Sequence, residues 1–344
     1  MPAGTERGDT MSLKPTHPKD AMNRWINDRE SELSPKSIYN YSGQLNQFTD
    51  WLLEHDIINM NDVTSETLQS YKEHRSESLK QISLKNDMRT IRAWIRFCER
   101  ILAVPKGLHE YVPIPTVSKE DSINGTYVTK GESDALLTYL KKYKYGTLWH
   151  VMGLILWKTG MRRSGLHSLD LGDVDTERSV LKLRHRPTTG THLKKAFDSE
   201  RDVIITDETM QVIQDYIHSH RIDTPDEHGR EPLLTSRHGR YSISSISGTV
   251  YAMTRPCWYT NTCPFDEDIT TCEATKRDHA SKCPGSHSPH AFRRGHATIA
   301  GNVGQDKDVT GERLDMSRDI LDKHYDLGSA SDKAERRRQH LKDF

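Results

Sequence analysis

The segment TGMRRSGLHSLDLGDVD, residues 159–175, decides how the rest of this 344-residue chain is interpreted. It ends a strongly apolar stretch that begins near Leu148, and such a stretch predicts a helix at the centre of a core. Gly160 is placed to end that helix, because glycine tolerates the left-handed backbone of a helix C-terminus. The remaining residues predict a turn and a short helix, so that Arg162 stands in the turn.

Two short apolar runs further along the chain predict the strands of a small sheet. The runs are Val180–Leu183 and Val203–Ile205, and the stretch that joins them is polar and contains Gly190. The joining stretch carries Lys194 and Lys195. These two lysines are therefore expected on a connection between strands.

A His-Arg pair and a tyrosine lie in two later segments of helical character. His290 and Arg293 are three residues apart, which places both side chains on one face of a helix. Ser288-Pro289 just before them is typical of a helix start. Tyr325 follows near the end of the sequence, beside Ile320 and Leu321.

The region before these segments has helical periodicity. Ser34-Pro35 predicts one helix start, Asp62–Ser65 predicts a second, and Ser83 is expected to cap a third helix. Prolines and weak periodicity after residue 105 are typical of a linker. The expected organisation is a flexible tail at 1–18, a helical domain at 19–105, a linker at 106–121, and a second domain at 122–344 that is mainly helical with a small sheet.

The third of these helices carries arginines at 89, 92, 96 and 100, away from its apolar face. One interpretation is a solvated helix face, with Asp87 and Glu99 nearby. The other is a face that contacts phosphates, because arginine neutralises the backbone of nucleic acids. The formal net charge of zero favours neither interpretation, since the distribution of charge decides nucleic-acid binding.

Composition excludes some classes of protein. The chain has no apolar run of about 18 residues, so no membrane span is expected, and its first 20 residues lack the apolar core of a signal peptide. We therefore expect an intracellular protein, in which the five cysteines are free thiols or metal ligands rather than disulfides.

Four cysteines fall within residues 257–283, a Cys-rich insertion before the His-Arg pair: Cys257, Cys263, Cys272 and Cys283. Four thiolates can form a closed tetrahedral zinc site, which would be structural rather than catalytic. His279 and His287 are alternative ligands. The insertion lacks the closely spaced Cys pairs of ordinary zinc fingers, and the alternative is a set of buried or redox-inert cysteines.

Taken in order, Arg162, the lysine hairpin, the His290–Arg293 pair and Tyr325 resemble the catalytic residues of the integrase family of tyrosine recombinases. The segments that carry the resemblance are TGMRRSGLHSLDLGDVD, HAFRRGHAT and LDKHYDL. SPKSIYNYSGQLNQFTDWLLEH and ISLKNDMRTIRAWIRFCER are similar to helices of the family's core-binding domain. The likeness covers roughly residues 20–340 and in its details is strongest to archaeal and halophilic-virus members.

The resemblance implies a mainly α fold, with a SAM-like helical core-binding domain and a mostly α catalytic domain that contains a small antiparallel sheet. It implies a site-specific recombinase that cuts and rejoins DNA through a 3′-phosphotyrosyl intermediate, and so integrates or excises a mobile element or viral genome. The expected partners are double-stranded DNA and further copies of the chain, as a tetramer on DNA. No cofactor is expected for catalysis, and the expected location is the cytoplasm, at the nucleoid.

The implied roles agree with the chemistry of these side chains. Arg162 and Arg293 would hold the non-bridging phosphate oxygens and stabilise charge in the transition state. Tyr325 would be the nucleophile. Lys194, in preference to its neighbour, would protonate the leaving sugar oxygen, and His290 would act as acid/base or phosphate contact.

The chain departs from the family's pattern at two positions. Met316 stands where many members have His or Trp, nine residues before the nucleophile, so His296 or His324 is a candidate to replace that group. Gly165 stands where the first motif usually has Glu.

Two rival functions follow from the same residues. A non-catalytic DNA-binding protein of the same fold is favoured by Met316 and disfavoured by the retained arginines, lysine and tyrosine. A type IB topoisomerase would share the chemistry, but the first domain favours recombination. The basic residues Arg336–Arg338 are expected to dock on a neighbouring subunit, to touch DNA, or to form a solvated helix end.

Overall fold

The computed structural model describes residues 12–118 and 125–325, together with Ser331, Ala334 and Arg338. The chain forms two compact units, with the boundary between Asn124 and Gly125. Arg336 and Arg337 lie outside the described residues, so the expected role of the basic tail stays a prediction. Among the helices of the described ranges, none is long and apolar enough to cross a membrane.

The first unit is built from four helices around an aromatic core. The helices are α1 (Pro18–Arg29), α2 (Pro35–Glu54), α3 (Ser65–Ser76) and α4 (Gln81–Arg100). Their apolar faces bury Trp25, Phe48, Tyr71 and Trp94, whose side chains are at most 2% exposed. Such large aromatic groups contribute much of the apolar area that stabilises a unit of this size.

The caps of these helices confirm two of the three predicted starts. Ser34 accepts a hydrogen bond from the backbone N–H of Ser37, and Thr64 forms a capping box with Thr67. The prediction that Ser83 caps α4 is wrong. The N-cap is Lys80, which makes no side-chain capping bond. The Lys80 carbonyl accepts a helical hydrogen bond from the Leu84 N–H at 3.0 Å, so Ser83 lies inside the first turn and not at the cap.

Residues 12–17, which precede α1, pack on this unit. The backbone N–H of Lys14 donates to the Leu102 carbonyl at 2.7 Å, and that of Met60 donates to the Thr16 carbonyl at 2.9 Å. On α4, Arg89, Arg96 and Arg100 are exposed.

The second unit is mainly helical. Its helices are α5 (Lys130–Tyr143), α6 (Leu148–Thr159), α7 (Arg163–Ser168), α8 (Asp207–Ser219), α9 (Ile243–Thr254), α10 (Pro256–Thr260), α11 (Pro289–Asn302), α12 (Lys307–Leu314) and α13 (Arg318–Tyr325). Helix α6 is the central one and packs against α5, α8 and α11. Its residues from His150 to Trp157 are all buried, as its apolar sequence predicts.

A small antiparallel sheet lies beside α7. Its strands are β1 (Val174–Asp175), β2 (Val180–Leu183) and β3 (Arg201–Ile204), in that order, with Val180 opposite Ile204. A second pair, β4 (Thr235–Ser236) and β5 (Gly239–Arg240), forms a tight hairpin. The predicted fold class, mainly helical with a small antiparallel sheet, is therefore confirmed.

Gly160 ends α6 in the left-handed conformation, with φ 58°. A Cβ atom at this position would lie 2.5 Å from Leu314 Cδ2 and 3.0 Å from His296 Cγ. The turn is thus both conformationally and sterically reserved for glycine. It brings the residues after α6 next to α11 and the end of α12.

We predict that Gly160→Ala destabilises the second unit by about 2 to 4 kcal/mol, because the new methyl group combines a left-handed backbone penalty with overpacking. The measurement is urea denaturation followed by tryptophan fluorescence. Gly172→Ala is the matched control, since a Cβ there meets nothing within 4 Å and the backbone φ is not positive. Equal stability of the two variants would contradict the prediction.

Candidate active site

Two arginines from distant parts of the chain converge on one backbone carbonyl. Arg162 is the N-cap of α7, directly after the Gly160 turn, and Arg293 lies on α11. Arg162 Nη2 donates to the Asp315 carbonyl oxygen at 2.7 Å, and Arg293 Nη2 donates to the same oxygen at 3.2 Å. Arg293 also donates from Nη1 to the Gly160 carbonyl at 3.0 Å. The two guanidinium groups are therefore neighbours.

The carboxylate of Asp315 joins a third segment to this pair. It forms an ion pair with Arg162, accepts from Lys195 Nζ at 2.8 Å, and accepts from Ser199 Oγ at 2.8 Å. Burial alone would raise the pKa of Asp315, but the bonds from Lys195 and Ser199 and the charge of Arg162 lower it to about 2. Asp315 is therefore an anion at neutral pH, held by groups from the connection between β2 and β3.

The site carries more positive than negative charge. Burial, with the nearby charges of Arg162 and Arg201, lowers the pKa of Arg293 to about 9, and the side chain of Arg293 is only 1% exposed. Burial also lowers the pKa of Arg201 to about 10. Burial is the largest cause of both lowered pKa values, and an anion added beside these cations would favour their charged forms.

An open cleft of about 420 Å³ borders this cluster. It is lined by Arg162, Lys194 and His290, together with Tyr251 and residues of α9. The structure thus brings three of the predicted residues to one cleft. It also separates the two hairpin lysines, because Lys194 lines the cleft whereas Lys195 pairs with Asp315.

Tyr325 is the last residue of α13, and its side chain lies outside the described part of the chain, as does that of His324. Helix α13 is anchored by a small apolar cluster in which Met316 and Leu321 pack with Ala297 and Leu314. Met316 is 7% exposed and therefore serves packing.

His296, one of the two candidates to replace the group missing at Met316, is held at the back of the site. Its Nδ1 donates to the Trp157 carbonyl at 2.8 Å, since a carbonyl only accepts. Burial lowers the pKa of His296, with a smaller opposing effect from that hydrogen bond. The imidazole is therefore neutral at pH 7, with its proton on Nδ1.

Several site residues were missed by sequence analysis. Asp315, Ser199 and Arg201 belong to the cluster, and Tyr251 lines the cleft. Of these residues, only Asp315 could have been suspected from the sequence, because it directly precedes Met316, where the chain departs from the family's pattern. The others lie in polar or helical stretches without a distinctive pattern.

The four cysteines of the insertion line a second cavity, of about 380 Å³. Burial raises the pKa of Cys257, and the other three thiols are near enough to raise it further. Among the described residues, however, no group of three or more His, Cys, Asp or Glu side chains is arranged to hold a metal ion. The predicted zinc site is therefore not confirmed. His287 pairs with Glu132 instead, Nε2 to Oε1 at 3.2 Å.

Comparison with known families gives two matches, one in each unit. Residues 26–100 match the phage integrase N-terminal SAM-like domain, and residues 126–319 match the phage integrase family. The second match ends six residues before Tyr325. No curated protein matches the sequence.

Solved structures with a similar fold include two integrases in complex with DNA. The Tn1549 transposon integrase in complex with circular intermediate DNA is 14% identical, with a TM-score of 0.65 over 95% of this chain and 99% of that one. A lambda integrase dimer bound to a COC′ core site is 11% identical, with a TM-score of 0.63 over 90% and 77%. At these identities the likeness establishes the fold.

An N-terminal domain of a phage integrase/site-specific recombinase from Haloarcula marismortui is 27% identical over 30% of this chain and 99% of its own, with a TM-score of 0.29. The finer likeness to archaeal integrases stays a prediction.

We predict that Arg293→Lys lowers the free energy of unfolding of the second unit by about 2 to 4 kcal/mol, because lysine lacks the planar fork whose Nη1 and Nη2 donate separately to the Gly160 and Asp315 carbonyls. Arg294→Lys is the matched control, since Arg294 is half-buried and its Nη1 donates only to the Thr126 carbonyl. Urea denaturation of both variants measures the difference. Equal losses would show that Arg293 does not hold the turn.

Proposed function

We propose that this chain, which belongs to the phage integrase family, is a tyrosine-type site-specific DNA recombinase that uses Tyr325 as its nucleophile. The observation that carries the proposal is the convergence of Arg162 and Arg293 on one point, beside a cleft that Lys194 and His290 also line. An excess of buried positive charge at the edge of an open cleft suits a phosphodiester, which is an anion and a poor electrophile.

Each residue has a step in the reaction. The Tyr325 phenol oxygen attacks phosphorus as its proton passes to His290, the proposed acid/base. Arg162 and Arg293 stabilise the charge that grows on the non-bridging oxygens. The bond from phosphorus to the 5′-oxygen breaks, and Lys194 protonates that oxygen. The product is a 3′-phosphotyrosyl bond and a free 5′-hydroxyl. A 5′-hydroxyl from the same or another strand then attacks phosphorus and releases Tyr325, which reseals the DNA.

The proposed substrate is double-stranded DNA at attachment sites, cut in the cytoplasm. The first unit supports this proposal with the exposed arginines of α4, which are suited to contacts with backbone phosphates. Recombination joins two duplexes, so we propose a tetramer with one cutting subunit for each strand exchanged. The linked domains at 19–105 and 122–344 would then bind opposite faces of a site.

Covalent trapping tests the proposed nucleophile. Wild-type protein incubated with nicked, labelled target DNA is expected to form a denaturation-resistant adduct, and Tyr325→Phe is expected to form none. Tyr251→Phe is the matched control, because Tyr251 is the tyrosine that lines the cleft. It should retain the adduct.

The outcomes separate the candidate functions. Loss of the adduct in Tyr251→Phe but not in Tyr325→Phe would show that the nucleophile is Tyr251 on α9. A bound target without an adduct from the wild-type protein would overturn the enzyme proposal, and favour a non-catalytic DNA-binding protein. Adduct formation with relaxation but no strand exchange between two sites would favour a topoisomerase.

A structural zinc ion in the insertion is a separate part of the proposal. It is supported by the fact that Cys257, Cys263, Cys272 and Cys283 line one cavity, and it requires their side chains to turn towards a common point. A closed tetrahedral site would contribute folding energy to the segment before α11.

We expect protein purified with zinc to contain about one ion per chain, and Cys272→Ser to lose it, because three thiolates bind more weakly than four. Elemental analysis and melting curves with and without a chelator measure both effects. Cys98→Ala is the control, since Cys98 lies in the core of the first unit. Equal zinc contents in Cys272→Ser and Cys98→Ala would rule out this site.

A further inference from the structure

We propose that Asp315 is a positioning residue that holds Arg162 and the β2–β3 connection in their working places for strand cleavage. The inference rests on the proposed function and deepens it. Asp315 contacts Arg162, Arg293, Lys195 and Ser199. Those four residues come from three segments that are far apart in the sequence.

The backbone of Asp315 explains how one residue can face so many donors. It is the C-cap of α12 in the left-handed conformation, with φ 48° and ψ 61°. Its backbone N–H donates to the carbonyls of Glu312 and Gly311, in the last turn of α12. The chain therefore turns sharply here, and both the carbonyl and the carboxylate of Asp315 point towards the arginines. Aspartate is among the non-glycine residues that adopt this conformation most readily.

The contacts leave donors for a substrate. A guanidinium group has five N–H donors in one plane. Asp315 takes one from each terminal nitrogen of Arg162, and one from Nη2 of Arg293. The plane of the Arg162 guanidinium is thereby fixed by Asp315, and that of Arg293 by Asp315 together with the Gly160 carbonyl. Arg162 also lines the cleft, where its other N–H groups would meet phosphate oxygens. Fixed orientation is what a clamp on a developing charge requires.

The charges also support the proposal that Asp315 positions the neighbouring cations and does not occupy the place of the phosphate. Four cations, Arg162, Lys195, Arg201 and Arg293, interact with the single carboxylate of Asp315. Without that carboxylate the four cations would repel one another, and the flexible Lys195 side chain would be the first to move away from the site. With it, a net positive charge remains for a phosphodiester. Lys194 is adjacent to Lys195, so the pairing of Lys195 also restrains the proposed proton donor.

The test compares Asp315→Asn with the wild-type protein. Asparagine keeps the size of the side chain and tolerates the left-handed backbone, so that the fold is preserved while the charge is lost. We expect the single-turnover rate of cleavage of nicked DNA to fall about 10- to 100-fold, because misplacement of reacting groups costs this much. We expect the Kd for DNA to change by less than about twofold, since one carboxylate facing inward contributes little to phosphate binding. Asp308→Asn is the matched control, because Asp308 is exposed in the same segment and its loss changes the net charge equally.

A second measurement does not depend on cleavage. In DNA-free protein labelled with ¹⁵N-arginine, hindered guanidinium groups give separate Nη signals, which Arg162→Lys and Arg293→Lys identify. We expect Asp315→Asn to collapse the Arg162 signals and Asp308→Asn to preserve them. Unchanged Arg162 signals in Asp315→Asn would overturn the proposal, whether or not the wild-type protein cleaves DNA.

Faster cleavage or tighter DNA binding by Asp315→Asn would also overturn it, because the carboxylate would then be occupying the place of the phosphate. Failure of the wild-type protein to form an adduct, by contrast, would count against the proposed function alone. The NMR result would still decide whether Asp315 positions Arg162.

Discussion

The buried guanidinium group of Arg293 is the contact on which the second unit depends. It joins the carbonyl of Gly160, at the end of the central helix α6, to the carbonyl of Asp315, at the end of α12. Burying an arginine is costly unless its donors find acceptors. Two helix C-termini, which have unpaired carbonyls and partial negative charge, are suitable acceptors. The site is therefore built from buried hydrogen-bond donors and acceptors that need partners for the protein to fold, whatever the site does.

This arrangement explains why the chain tolerates several cations in one place. Arg162 and Arg293 share one carbonyl, and a single carboxylate lies between Arg162 and Lys195. Part of the repulsion is offset by dipoles and by Asp315, and the remainder is available to attract an anion. Since the members come from α7, α11 and the β2–β3 connection, the site exists only in the folded unit. Its geometry is consequently sensitive to the Gly160 turn.

Sequence analysis predicted the parts of the molecule that depend on local rules. The Ser34 and Thr64 caps, the apolar α6, the Gly160 C-cap and the strand at Val180–Leu183 all follow from short-range preferences. The start of α4 was missed because the helix begins after Lys80 without a side-chain cap, so the preferred capping residue, Ser83, falls inside its first turn. The likeness to a family supplied the ordered set of candidate residues. It could not supply Asp315, because its pairing with Arg162 spans 153 residues and depends on the turn at the end of α12.

The packing of Met316 explains what this residue does at a position where many family members have His or Trp. Met316 and Leu321 hold α13 to α11 through an apolar cluster, while the preceding residue, Asp315, holds the cations. The same short segment thus anchors the helix that ends at Tyr325 and orients the groups that would act on phosphate. A polar acid/base at residue 316 would have to leave this cluster to reach the cleft. A methionine there adds an apolar contact to the anchor, and in the proposed reaction proton transfer would fall to Lys194 and His290, which line the cleft.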